Sequence, residues 1–191
     1  VIYTLIILTL IGVVLAIAIP QIEKQKDKAI IQNSVNSLNE FDSTILNIKR
    51  AGISNVREIS LNIGEGKFKV DGVNDKLIFE ILESSYAYSE PGITVNLVGT
   101  NMKSETKKNG GKYDVKLTLS YNNTANITIN DLDELKEYTP APIPYKFFIE
   151  HRGKIPVGGS LCDVATPCNS GFSCINTQCV PNLPTINIYE S

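Results

Sequence analysis

The sequence predicts an α+β protein in which a long N-terminal α-helix, first hydrophobic and then amphipathic, packs on an antiparallel β-sandwich-like head with a disulfide-stapled C-terminal segment. Three observations predict this class. Residues 1–19 are apolar and uncharged, residues 21–50 carry periodic apolar side chains, and from Val56 the apolar repeat shortens to two. The predicted division is an N-terminal helix over 1–52 (apolar over 1–20, amphipathic over 21–50), a β-rich head over 53–155 and a cysteine-rich segment over 156–191.

The first nineteen residues have the composition of a membrane-spanning helix. They contain thirteen Ile, Leu or Val residues and no charge. At about −0.3 to −0.6 kcal/mol for each such residue, insertion into a membrane is favoured by about 4 to 8 kcal/mol. A run of this length can cross a bilayer as a helix. The polar stretch Gln21-Ile22-Glu23-Lys24 follows without a small-residue cleavage site, so we expect the segment to be retained.

Beyond Pro20 the apolar residues become periodic. They recur every three or four positions, which makes one apolar stripe along a helix. The expected helix stop is Gly52, just after Lys49 and Arg50, the cations that a helix C-terminus favours. One helix of about 75 Å is therefore predicted up to about residue 50. The stripe consists of Ile31, Val35, Leu38, Phe41 (or Ile45) and Ile48.

Gly12 and Pro20 are the two weak points of this helix. Proline lacks the N–H that a helix needs, and its ring crowds the carbonyl of Ala16. Glycine lowers helix propensity by about 1 kcal/mol. We therefore expect a kink or a local loss of helix in this stretch.

The segment GVVLAIAIPQ, Gly12 to Gln21, closely resembles the end of the hydrophobic segment of type IV pilins. In that family an apolar helix leads through a Gly and a Pro, eight residues apart, into the amphipathic half of a long helix. The resemblance covers about the first fifty residues. One departure is Tyr3, which stands where many pilins carry a glutamate; archaeal pilin-like proteins often lack that acid.

The resemblance implies a structural subunit that sits in the cytoplasmic membrane and then polymerises into an extracellular type IV pilus-like filament, serving adhesion or surface attachment. It also implies a prepilin peptidase, with which the missing initiator Met agrees, and a pilus assembly machinery. The expected partners are further copies of the chain, packed through their N-terminal helices. The expected filament-core residues are Ile2, Leu5, Ile6, Leu8, Ile11, Val13, Val14, Leu15, Ile17 and Ile19.

Two other kinds of protein fit the same pattern. A membrane-anchored extracellular binding module would keep its helix in lipid, and a minor pilin or pseudopilin would not form the bulk of a filament. A surface-tethered enzyme is disfavoured by the residue inventory. A filament subunit should appear in sheared, detergent-free fibres, whereas an anchored module should leave the membrane only in detergent.

β-Strands are predicted for most of the head. Residues 56–70 indicate a strand, a Gly-Glu-Gly turn and a return strand. KLIFEIL, ITVNLVG and KFFIEH are further strands. Residues 109–129 form the clearest predicted hairpin. Apolar and polar side chains alternate along residues 113–121, which indicates a strand with one buried face and one solvent-exposed face. Residues 130–138 are predicted to form a short helical turn capped by Asn130.

The four cysteines lie in the last thirty residues, with five, five and four residues between successive cysteines. No pair has the close spacing of a zinc ribbon, and an outward-facing head lies in an oxidising environment, so two disulfides are predicted. Three connectivities remain open. The interleaved one is favoured because small cysteine knots often interleave, which would join Cys162 to Cys174 and Cys168 to Cys179.

Two N-glycosylation sequons, Asn122-Asn123-Thr124 and Asn126-Ile127-Thr128, lie at the predicted hairpin turn. Because the turn is exposed and the head is expected to be extracellular, both asparagines are predicted sugar acceptors. The alternative is a polar turn that happens to contain threonine.

Other functions find little support in the sequence. The net charge of −2, without a basic stripe, argues against nucleic-acid binding. The single histidine, His151, is expected to be structural, and the acidic run Asp131, Asp133 and Glu134 lacks the spacing of a calcium loop. No catalytic residue, metal site or cofactor is predicted, so the chain is not expected to be an enzyme.

Overall fold

The computed structural model describes residues 2–153, 172–175, 178–181 and 183–190. The α+β class is confirmed, because one long helix, α1 (Ile2–Ala51), packs on two larger β-sheets and a small hairpin follows. The strands are β1 (Val56–Leu61), β2 (Lys67–Asp71), β3 (Lys76–Ser84), β4 (Thr94–Asn96), β5 (Met102–Asn109), β6 (Lys112–Ser120), β7 (Asn126–Ile129), β8 (Leu135–Tyr138), β9 (Tyr145–Gly153), β10 (Phe172–Ile175), β11 (Gln178–Pro181) and β12 (Thr185–Glu190).

The helix ends where the sequence predicts. Lys49 and Arg50 occupy its last turn, and Gly52 follows with a φ of 93°. The amide of Gly52 donates to the carbonyl of Ile48 at 3.2 Å, the five-to-one bond of a left-handed helix cap. Glycine suits this position because side-chain-bearing residues avoid positive φ.

The predicted apolar stripe is the face of α1 that the head covers. All of its members are buried, and both alternatives at the fourth position, Phe41 and Ile45, belong to it. Phe41 lies where the two sheets meet, with its ring centre 5.2 Å from that of Phe68 on β2 and 5.6 Å from that of Phe147 on β9. The helix and both sheets therefore share one hydrophobic core.

The larger sheets have six and four strands. The six-stranded sheet has the order β4-β5-β6-β3-β2-β8, and each pair of adjacent strands in it is antiparallel. The four-stranded sheet has the order β1-β9-β12-β7, in which β7 and β12 are parallel. The head is therefore mixed rather than purely antiparallel.

Both hairpins predicted from local sequence are wrong in their pairing. β1 and β2 belong to different sheets, since β1 pairs with β9 and β2 lies between β3 and β8. β6 likewise pairs with β5 and β3, while β7 lies in the other sheet. The real hairpin joins β5 to β6 through Gly110 and Gly111. The alternation along β6 is confirmed, with Val115, Leu117 and Leu119 buried.

The segment predicted as a helical turn is partly a strand. Asn130 and Asp131 adopt positive φ values of 51° and 63°, which ends β7 in a turn, and β8 then adds to the edge of the six-stranded sheet. Helical periodicity was too short here to decide the element type. A partner strand, β2, stabilises the extended form.

The end of the described chain returns into the head. β12 lies between β9 and β7 and buries Ile186 and Ile188 in the core. The segment predicted to begin at residue 156 therefore contributes an inner strand to the head. Cys162 and Cys168 lie outside the described residues.

Candidate functional site

The first part of α1 is uncovered. Residues 2–22 carry no charge, and at 1.5 Å per residue they form a rod of about 31 Å, which matches the hydrocarbon thickness of a bilayer. All ten predicted filament-core side chains are exposed, by 50% to 73%. An 18-residue window of this helix has a mean hydropathy of 2.8, and none of it is buried. The segment is thus long and apolar enough to cross a membrane.

This exposure carries a large free-energy cost in water. Full burial of one such aliphatic side chain gains about 1.5 to 3 kcal/mol. The thirteen Ile, Leu and Val side chains of residues 2–22 are each at least half exposed. Together they therefore lose about 10 kcal/mol or more of the free energy that full burial would gain. Exposed apolar patches of this extent mark surfaces that bind lipid or protein.

One polar side chain within the rod, Thr9, finds its hydrogen-bond partners in the helix itself. The hydroxyl of Thr9 donates to the carbonyls of Leu5 and Ile6, at 3.0 and 2.8 Å. An internal partner is what an apolar environment demands, because a hydroxyl without one would cost several kcal/mol there. The rod thus suits surroundings without water.

Gly12 and Pro20 both lie inside the continuous helix. α1 is helical through both residues, and a Cβ placed on Gly12 would meet no atom within 4 Å. A break is therefore absent from the single chain, and the kink stays a prediction. The open space at Gly12 leaves room for a close neighbour at this point of the rod.

The head begins beside the first charged residues of the helix. Glu23, the first charge of the chain, lies 3.7 Å from the amino group of Lys112, at the tip of the β5–β6 hairpin. Lys26 forms an ion pair with Glu65, which lies in the connection from β1 to β2. The Glu65 carboxylate raises the pKa of Lys26 through this hydrogen bond.

Two more contacts complete this end of the head. The carboxylate of Asp27 accepts a hydrogen bond from the amide of Ser85, and the amino group of Lys28 lies 5.8 Å from the ring centre of Tyr86. We call the head residues Glu65, Ser85, Tyr86 and Lys112 the rim. If residues 2–22 span a membrane, the rim lies at its surface.

A buried polar contact joins the helix to the head farther along. Asp42 interrupts the apolar stripe, and its Oδ1 accepts a hydrogen bond of 2.9 Å from the hydroxyl of Tyr121. Burial, and then the charge of Asp42, raise the pKa of Tyr121 well above its usual range. We did not predict this contact from the sequence. An aspartate among stripe positions was the available signal.

The residues considered for other chemistry make contacts within the head. His151 is buried, and its Nδ1 accepts a hydrogen bond from the amide of Gly153 at 3.1 Å. Burial raises the pKa of Asp133, and the amide of Asn126 offsets part of that rise. The described residues hold no cluster of three or more His, Cys, Asp or Glu side chains that could bind a metal.

The structure separates the two predicted glycosylation sequons. Asn122 is exposed in the turn after β6, whereas Asn126 begins β7 in the other sheet.

Two of the cysteines lie opposite each other in the small hairpin. Cys174 on β10 and Cys179 on β11 are opposite partners of an antiparallel pair. The disulfides themselves stay a prediction.

Comparison with known protein families, with curated proteins and with solved structures finds no match for this chain.

Proposed function

We propose that this protein is a structural subunit that polymerises through its N-terminal helix into an extracellular type IV pilus-like filament for adhesion or surface attachment. The observation that supports it most directly is the uncovered rod of residues 2–22, which is apolar around its circumference. Such a surface must be covered by lipid or by copies of itself. A bundle of identical rods supplies the second environment once the subunit leaves the membrane.

The position of the rim supports the same order of environments, first the membrane and then the filament. The head starts at the first charged residue of the helix, so a rod of one bilayer thickness can be buried without drawing the head into lipid. In a filament the same division places the rods at the core and the heads on the outside. A prepilin peptidase and a pilus assembly machinery follow from the family resemblance.

The resemblance to type IV pilins adds the motif GVVLAIAIPQ to this argument. The proposal also includes disulfides in the C-terminal segment, which would stabilise a stretch too short to form its own core. It includes no cofactor, no nucleic acid and no catalysis.

A membrane-anchored binding module, or a minor pilin, is the second candidate. The length and hydropathy of the rod favour it equally, because one helix of this kind can stay in lipid. In that case the head would be the working part and the rod only its tether.

Shearing of cells separates the two candidates. We expect the protein in detergent-free fibres of uniform width, and electron micrographs that resolve side chains should place residues 2–19 in the fibre core. Recovery of the protein only from membranes, and only in detergent, would reject the filament proposal in favour of the anchored module.

A further inference from the structure

The two sequons differ sharply in accessibility, although only three residues separate their asparagines. Asn122, Asn123 and Thr124 are all exposed in the turn that follows β6. The hydroxyl of Ser120 donates to Oδ1 of Asn122 at 2.9 Å, a contact that does not involve the amide nitrogen. Nδ2, the atom to which a sugar is joined, therefore remains accessible at an exposed residue.

The second sequon is part of the core-facing structure of β7. Nδ2 of the Asn126 side chain is buried, and the backbone N–H of Asn126 donates to the carbonyl of Pro184 at 2.9 Å. Thr128 is 5% exposed, and its hydroxyl lies 3.1 Å from Oδ1 of Asn187, to which it donates. The nitrogen that would accept the sugar is thus buried, and the threonine hydroxyl is already engaged by Asn187.

We propose that the folded protein is an N-glycoprotein with a single acceptor, Asn122, and that the fold withholds Asn126 from modification. The co-substrate is an oligosaccharide on a polyprenyl phosphate or pyrophosphate. In the transfer, the bond from C1 of the first sugar to the phosphate oxygen breaks and a bond from C1 to Nδ2 forms. The phosphate leaves with the electron pair, and one amide proton passes to a base.

A sugar on Asn126 would require local unfolding. The strand would have to leave its parallel pairing with β12, and the contact from Thr128 to Asn187 would break. Asn187 would also lose its hydrogen bond of 2.8 Å from the amide of Asp131, so the turn after β7 would open as well. These coupled contacts protect Asn126 more firmly than its partial exposure alone suggests.

The position of Asn122 suits a bulky group on a packed assembly. β6 starts at Lys112 on the rim and ends at Ser120, eight steps or about 27 Å away. On the helix, Asp42 beside Tyr121 lies twenty residues, or about 30 Å, beyond the end of the rod at Ile22. Both measures place the glycan well away from the rod. Only its exposure on a fibre surface rests on the proposed function.

The test uses the full chain, folded in detergent micelles, as acceptor for an oligosaccharyltransferase with a lipid-linked oligosaccharide. Glycopeptide mass spectrometry should find sugar on Asn122 and none on Asn126. A synthetic peptide of residues 119–130 serves as the unfolded acceptor, and it should be modified at both asparagines. Sugar on Asn126 of the folded chain, or an unmodified Asn122, overturns the proposal. If the peptide is not modified at Asn126, the claim that the fold protects Asn126 is overturned.

Matched variants separate the two threonines. Thr124→Val should lower glycan occupancy by at least tenfold, whereas Thr128→Val should leave occupancy of the folded chain unchanged. Mapping of wild-type peptides needs no variant, so the proposal remains testable even if the Thr128→Val chain fails to fold. A negative result would leave the filament proposal standing, because fibre formation is measured separately.

Discussion

The hydroxyl of Tyr121 donates a hydrogen bond of 2.9 Å to the carboxylate of Asp42 across 79 residues of chain. Asp42 is only 8% exposed, and the amide of Asn101 approaches its other oxygen at 3.4 Å. This contact ties the C-terminal part of α1 to the residue that follows β6 inside the core. It fixes where the head sits along the helix, which apolar packing alone leaves less specific.

Tyr121→Phe should therefore destabilise the protein. The substitution keeps the ring but leaves Oδ1 of the buried Asp42 carboxylate without its donor, which costs about 1 to 3 kcal/mol. Urea unfolding in mild detergent, followed by circular dichroism, measures the loss. Tyr113→Phe, near the opposite end of β6, is the matched control and should change the free energy of unfolding by less than about 0.5 kcal/mol. Equal effects of the two substitutions would contradict the importance of the contact.

A charge in the middle of the rod should abolish fibres. Ile11→Lys replaces an insertion-favouring residue by one that opposes insertion, a change of about 3 to 4 kcal/mol. We expect loss of sheared fibres and a lower membrane-bound fraction on immunoblots. The control is Val98→Lys, a fully exposed position on the head, which should leave both unchanged. Normal fibre yield from the Ile11 variant would show that the rod does not pack in an apolar environment.

Pro20→Ala tests whether the proline shapes the filament. Alanine restores the missing N–H and removes the ring that crowds the helix, so the rod becomes more uniform. We expect a changed helical rise or twist in electron micrographs of the fibres, with the head still folded. The same helical parameters as wild type would mean that the Gly12–Pro20 stretch does not bend in the assembly.

The cysteine connectivity is open to direct mapping. Native mass should be four hydrogens below that of the free-thiol chain. Residues directly opposite in an antiparallel pair have Cα atoms about 4.5 to 5.5 Å apart, within the range that a disulfide bridges. The register of Cys174 with Cys179 thus favours a direct bond, leaving Cys162 with Cys168. Peptide mapping without reduction distinguishes this pattern from the interleaved one predicted from the sequence, and four alkylatable thiols would exclude both.

Stability should depend on pH through Glu80. Burial opposes its ionisation, but Lys69 at 2.6 Å and Lys116 at 3.5 Å outweigh burial and hold its pKa below the usual range. A lowered pKa in the folded state stabilises the protein above the unfolded pKa of about 4.3, and that stabilisation disappears as pH falls through the folded value.

Glu80→Gln should therefore lower the free energy of unfolding at pH 7, and the difference should fade as pH falls through the lowered folded-state pKa of Glu80, because the wild-type side chain then becomes uncharged like glutamine. Urea titrations at several pH values provide the measurement. Glu58→Gln, at an exposed ion pair with Lys146, is the control and should show a smaller pH dependence. A pH-independent difference for Glu80 would mean that shape rather than charge matters at this site.

The elements that the sequence predicted well are those whose signal is local and repeated many times. Thirteen aliphatic residues without a charge indicate the rod, and a stripe from Ile31 to Ile48 indicates the face that the head covers. Alternation along β6 indicates which of its faces is buried, because successive side chains of a strand point to opposite sides. Gly52 marks the helix end because glycine takes positive φ at no steric cost.

Strand pairing and the exposure of each sequon were decided by tertiary structure alone. The residues between β6 and β7 look like a hairpin turn, yet Tyr121 turns to Asp42 on the helix and Asn126 enters the other sheet. β12 lies more than fifty residues from β7 in sequence, and only the assembled core places them side by side. Periodicity reports which face of an element is buried, whereas the choice of partner depends on contacts between distant residues, which no local pattern encodes.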